Sequence, residues 1–142
     1  MRFLLDANVL IAIGFPSHAA HRKCHEWLRG EPSRLWATCP PTQAAALRHV
    51  TRLLGGTHKS FHIALAGLEE DCRNPNHEYW PVDVDLRELA DAMRARILGP
   101  NQITDLQLLV LAHKHHGKLA TLDNSILELA RGTRYANSLH LI

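Results

Sequence analysis

No apolar run in this chain is long enough to span a membrane. The most suggestive stretch follows Arg2 near the start, and Asp6 and Asn8 interrupt it before it reaches the length of a secretion signal. Cysteine is scarce and odd in number: Cys24, Cys39 and Cys72 form no Cys-x-x-Cys. That excludes a disulfide scaffold and leads us to expect reduced thiols in a cytoplasmic protein. Neither sign of charge dominates, with 16 Lys+Arg against 14 Asp+Glu and a net charge of +2. A uniformly basic surface is excluded, so a nucleic-acid site must come from local clustering. Aromatics are only 6% of the chain, and Trp27, Trp36 and Trp80 lie far apart without basic residues alternating around them. This favours core packing over base stacking. There is no repeat, low-complexity segment or linker.

What is present fits one domain over residues 1–142, long enough to bury a core. "RFLL" reads as a buried strand and Asn8–Ile13 as a short helix stopped by Gly14 and Pro16. An amphipathic helix follows over 18–30, then a strand over 34–39 ended by Pro40-Pro41. A helix through 42–54 breaks at Gly55-Gly56, where Thr57 can cap a helix over 58–71. Residues 78–83 make a third strand, 85–97 a helix, and 104–117 a helix closing at Gly117. "KLATLD", "SILELARG" and "SLHLI" complete the chain as strand, helix and strand. Strands alternating with helices predict a mainly parallel sheet covered on both faces, with its site at the carboxyl ends of the strands.

Three aspartates stand at that edge. Asp6 ends the first strand, Asp123 follows "KLAT", and Asp105 opens a long apolar helix. Any one of them is explained as well by helix capping, worth about 0.5–1 kcal/mol. Each seam has another candidate for that work, however: Asn8 for the first helix, Thr104 with Gln107, and Ser125 with Glu128. Three leftover carboxylates at matching seams point to a shared site. Two of them at 4 Å repel by about 4 kcal/mol at an effective dielectric near 20. A proton or a cation must relieve this. All-oxygen ligands suit Mg²⁺, or Mn²⁺, and such an ion can activate a water for in-line attack on a phosphodiester.

The stretches "FLLDANVLIAI", "CPPTQAAALRHV" and "ITDLQLLVLAHKHHGKLATLD", in this order and spacing, resemble a PIN domain of the VapC toxin type over essentially the whole chain. The resemblance implies a three-layer α/β/α fold with a central, mainly parallel sheet. It also implies a metal-dependent endoribonuclease acting on RNA, neutralised by a VapB-like antitoxin, and a homodimer. Asp6, Asp105 and Asp123 match the family's metal-holding acids, while Asn8 and Thr104 match positions that orient them. Arg48 matches a basic residue after the second acidic motif. At that motif the family commonly has Glu, whereas here Gln43 stands in Pro40-Pro41-Thr42-Gln43. Gln43 can still line the cleft and accept a hydrogen bond, but it carries no charge. A single-metal mechanism survives on Asp6 and Asp105, with Asp123 orienting water. The substitution also keeps open a weak or inactive PIN-like module that binds RNA or protein without cutting.

Other clusters carry less. His18, His21 and His25 with Cys24, and His113, His115 and His116, lack a complementary ligand pair at zinc spacing and read as solvated histidines. Arg48 and Arg52, an i, i+4 pair on the helix of Gln43, are candidates to grip RNA phosphates, with a solvated helix face as the alternative. Arg94/Arg96 and Lys114/Lys118 are weaker candidates. The segments 57–68 and 86–98 are candidate dimer surfaces. Haloacid-dehalogenase-like enzymes need Asp-x-Asp after the first strand, and receivers need paired acids there with a late Lys; neither pattern is present.

Overall fold

The computed structural model describes residues 1–30, 32, 34–93 and 99–142; Arg94, Arg96 and the end of the predicted 85–97 helix lie outside them. In chain order the elements are β1 (Arg2–Leu5), α1 (Ala7–Gly14), α2 (His21–Leu28), β2 (Leu35–Thr38), α3 (Pro40–Leu53) and α4 (His58–Cys72). They continue with β3 (His77–Tyr79), α5 (Leu86–Met93), α6 (Gln102–Lys114), β4 (Lys118–Thr121) and α7 (Ser125–Ala130). A 3₁₀ turn (Ala136–Ser138) leads into β5 (Leu139–Leu141). The five strands pair in parallel in the order β3-β2-β1-β4-β5.

The alternation of side chains along each strand divides the core into two layers. Leu4, Ala37 and Leu119, opposite one another in the register, face α6 and α7. Leu5, Trp36 and Ala120 face α1, α2 and α3. This is the expected three-layer α/β/α arrangement. Helix α6 is buried almost all round, through Leu106 and Leu108–Ala112, so its polar first turn is its one outlet to the sheet edge. Trp36 and Trp80 are both core residues, as their isolation in the sequence suggested.

Several boundaries moved for local reasons. β3 begins at His77 and ends before Trp80, because Pro81 has no N–H to continue the ladder; the Trp80 N–H still reaches Thr38 O at 2.8 Å. α3 starts at Pro40, its two prolines filling first-turn positions where an N–H has no partner. α2 starts at His21 after a turn in which His18 Nδ1 accepts from the Ala20 N–H.

The end of α6 corrects the expectation of a terminal glycine. His116, not Gly117, adopts the left-handed conformation, with φ 53°. His116 N–H bonds to His113 O (3.0 Å) and Gly117 N–H to Ala112 O (2.8 Å), the paired bonds of a Schellman motif. Gly117 is needed one residue later for space: a Cβ there would stand 2.6 Å from Arg2 O and 2.8 Å from Trp80 Cη2.

The two positions therefore predict opposite outcomes. His116→Gly should raise stability by about 0.5–1 kcal/mol by removing a strained φ. Gly117→Ala should lower it by about 2–3 kcal/mol through overpacking against backbone. Urea unfolding of both variants would check the assignment; equal effects would contradict it.

Candidate active site

Strand β1 is the centre of the sheet. The chain leaves it toward β2 on one side and β4 on the other, so the topological switch point lies between the carboxyl ends of β1 and β4. Ligands of open parallel sheets collect in that crevice. Asp6 follows β1, Asp123 follows β4, and Asp105 lies in the first turn of α6.

Asp6 is buried and held from three sides. Its Oδ1 accepts the Ala7 N–H at 2.7 Å, and its Oδ2 accepts Thr121 Oγ1–H at 2.7 Å and Asn8 Nδ2–H at 2.9 Å. Asp6 is therefore itself the N-cap of α1, which corrects the expectation that Asn8 would cap. Asn8 instead ties the seam together: its Nδ2 also donates to Thr121 Oγ1 (3.2 Å), and its Oδ1 accepts the Leu122 N–H (3.2 Å).

Thr121 was not singled out from the sequence, yet it is the hub. Its one hydroxyl proton goes to Asp6, and its oxygen accepts from Asn8 and from the Asp123 N–H at 3.0 Å. The available signal was its place as last residue of β4, two before Asp123. Asp123 is exposed, and its Oδ1 accepts the Ser125 N–H at 2.8 Å, so it helps start α7 where a Ser125/Glu128 box was expected. α6 likewise begins earlier than expected, from Asn101, so Thr104 is an exposed residue inside its first turn rather than a cap.

Electrostatics link the three acids. Burial raises the Asp6 carboxyl above the usual range, against the lowering effect of its hydrogen bonds and with a further push from Asp123. Asp105, half-buried, is pushed up to about 6 by burial first and then by the charges of Asp6 and Asp123. Mutual repulsion of this kind is what a divalent cation relieves. Among the described residues no three acid, histidine or cysteine side chains form a ready-made cage. The donor set fits Mg²⁺, which uses one or two carboxylates and keeps its waters, better than an all-protein metal site.

Gln43 is engaged elsewhere. Its Nε2 donates to Thr38 Oγ1 at 2.9 Å and approaches Cys72 Sγ at 4.0 Å. Thr38 Oγ1 also lies 2.8 Å from His77 Nε2. Thr38 Oγ1 accepts from Gln43 and keeps its own proton to give to His77 Nε2 when the ring is neutral with that nitrogen unprotonated; the His77 tautomer sets the direction of this contact. Burial lowers the His77 pKa and so favours the neutral ring. Arg48 and Arg52 are exposed on α3; Arg52 is nine residues beyond Gln43, about 14 Å along the helix.

The histidine clusters expected to be solvated are taken up by other contacts. Cys24 is fully buried, and His21 Nδ1 and His25 Nε2 lie 2.8 and 3.0 Å from the last carbonyls of α1, Ala12 O and Ile13 O. His115 stacks on Trp80 and reaches Asp83, and His113 Nδ1 meets Ser138 Oγ. These histidines fasten elements rather than standing in solvent.

Two outcomes follow. Asp105 has a folded pKa above its ordinary 3.8, so its contribution to stability is complete below that value and lost as pH rises through about 6. Asp105→Asn should therefore stabilise the metal-free protein at neutral pH, by at most about 3 kcal/mol, and flatten Tm against pH in this window. An unchanged profile would show that neither burial nor the neighbouring charges raise the Asp105 pKa. In Gln43→Glu a carboxylate would draw the Thr38 proton to itself, leaving the Thr38 oxygen to accept from His77 and favouring the protonated ring. NMR titration should show a higher His77 pKa in that variant, and no change would refute the shared-proton network.

A model of the PIN domain matches residues 3–132. The chain is 34% identical over 126 residues to Ribonuclease VapC44 of Mycobacterium tuberculosis, covering 89% of each sequence. It is 36% identical over 129 residues to Ribonuclease VapC29 of the same organism, covering 91% of each. With Ribonuclease VapC39, also from that organism, it shares 34% identity over 131 residues, 92% of this chain and 94% of the relative. Among solved structures, VapBC2 from Rickettsia felis bound to a DNA fragment from its promoter contains a similar fold, with TM-score 0.59 and 13% identity. That match covers 100% of this chain and 99% of the other. With the acids gathered at the switch point of a parallel α/β/α sheet, these matches place the chain in the PIN domain family, among its VapC-type members.

Proposed function

We propose that this chain is a Mg²⁺-dependent endoribonuclease, the toxin of a VapBC-type toxin–antitoxin pair, working as a single domain in the cytoplasm and as a homodimer. The observation that carries the reading is the convergence of Asp6, Asp105 and Asp123 at the switch point, where burial and then the charges of the other two push Asp105 up to about 6. The named ribonuclease relatives support it at the level of the reaction. The VapBC2 structure supports an antitoxin partner. An apolar groove of about 390 Å³ between α1, α3 and α4, lined by Leu10, Ile11, Val50, Ile63 and Leu68, is a surface such a partner would cover.

Asp6 and Asp105 would hold Mg²⁺ or Mn²⁺, with Asp123 assisting. When bound, the ion supplies Lewis-acid chemistry toward the phosphodiester and makes water a better nucleophile. Thr121 and Asn8 fix the Asp6 carboxylate, so it needs no reorganisation when charge develops. Asp123, whose Oδ1 accepts the Ser125 N–H, would use Oδ2 to accept a hydrogen bond from the attacking water and take its proton as the new P–O bond forms, while the leaving oxygen takes a proton from solvent as the old P–O bond breaks. Thr104, one residue before Asp105, would border the cleft, the Gln43 amide stays with Thr38, and Arg48 and Arg52 would steady flanking phosphates. The engagement of the Gln43 amide with Thr38 is the observation favouring the second reading, a module that binds RNA or protein without cutting it.

Purified protein should cleave a structured RNA pool with Mg²⁺ or Mn²⁺ and stop with EDTA. Asp6→Asn and Asp105→Asn should each lower the rate at least about 100-fold while circular dichroism stays native. Cleavage that survives chelation or both substitutions would refute the metal-acid mechanism. Metal binding without turnover would support the non-catalytic module.

A further inference from the structure

We infer that His58 and His62 form a two-histidine chelate for a late divalent transition metal, on a different element from the aspartates. The two residues are an i, i+4 pair on the first turns of α4, and both are exposed. Their rings stand perpendicular, with centroids 4.3 Å apart, and the Nε2 atoms lie 2.9 Å from each other. Metal–imidazole bonds are about 2.05 Å long, so two nitrogens about 2.9 Å apart subtend a right angle at a shared ion. A tetrahedral angle would need about 3.3 Å. The right angle is the cis arrangement of a square plane or octahedron, which selects Cu²⁺ or Ni²⁺ over Zn²⁺.

Comparison with the other histidine pair at the same spacing sharpens this. His21 and His25 also lie ring against ring, 4.4 Å apart, but one nitrogen of each is taken by a carbonyl of α1. In the His58–His62 pair ring nitrogen meets ring nitrogen. Two imidazoles share such a contact only if one donates its N–H to the lone pair of the other. A cation displaces that proton and, standing off the line between the two nitrogens, takes both lone pairs as the rings turn toward it, with waters completing its shell. The ion would clip the first two turns of α4, where Thr57 is the N-cap, and so steady one wall of the apolar groove.

The test is calorimetric titration of Ni²⁺ into the untagged full chain, with excess Mg²⁺ present to compete for acidic sites. Wild type, His58→Gln and His62→Gln are compared, with His21→Gln as control. Wild type and the control should bind one equivalent that each α4 variant weakens at least tenfold, with Zn²⁺ binding more weakly than Ni²⁺. In ¹H–¹⁵N spectra Ni²⁺ should broaden signals centred on residues 58–62. Wild-type affinity in either α4 variant, or broadening centred elsewhere, would overturn the site. Tighter binding of Zn²⁺ than of Ni²⁺ would overturn its right-angle geometry.

Discussion

The hydrogen bond from Thr121 to Asp6 joins the ends of the two strands that flank the switch point, and the rest of the site depends on it. The hydroxyl lies at 2.7 Å from a buried carboxylate oxygen. Having one proton, it can satisfy Asp6 only by turning its lone pairs toward Asn8 and the backbone of Asp123. One buried threonine thereby sets the positions of two acids. The same bond offsets part of the cost of keeping Asp6 charged inside the protein, which burial would otherwise raise further.

Among the described residues no hydrogen bond gives Asp105 comparable support. It sits in the first turn of a helix whose remaining turns are buried between the sheet and its covering elements. The apolar core holds α6 where it is, and the carboxylate must accept the neighbouring charges. The division of labour is physical: hydrogen bonds fix Asp6, packing fixes Asp105, and the charges of Asp6 and Asp123 add to burial in raising the Asp105 pKa. On the opposite face of β2, Gln43 completes a neutral chain with Thr38, His77 and Cys72. Its amide enters that chain as a donor to Thr38, where a carboxylate would enter as an acceptor and reverse the proton's direction.

The histidines show how context divides one residue type. His21 and His25 fasten the C-terminal carbonyls of α1, where a positive or polarised N–H is favoured by the helix dipole. His115 covers Trp80, and His140 accepts from the Trp27 indole at 2.9 Å. His58 and His62, at the start of a helix and in solvent, meet each other instead. Spacing in the sequence is the same for His21/His25 and His58/His62; only the neighbouring elements differ.

The alternation of apolar strands with helices, and the aspartates at the strand ends, were legible in the chain because periodicity and breakers are local properties. They placed nearly every element and brought Asp6, Asp105 and Asp123 to one edge. The capping assignments were not legible: Asp6 rather than Asn8, Asp123 with Ser125, and His116 rather than Gly117. Several residues near each seam can supply the same bond, and the choice falls to whichever one the packed elements aim correctly. Thr121 and the turning of Gln43 toward Thr38 were hidden for the same reason. The acid that Thr121 holds is 115 residues away; Thr38 is only five residues before Gln43, but which way the amide turns from the first turn of α3 depends on how that helix packs on β2. The sequence by itself determined the order of the elements and which acids meet at the edge of the sheet. Only the tertiary structure decided which groups hold those acids, since a hydrogen bond needs distance and direction that no spacing along the chain specifies.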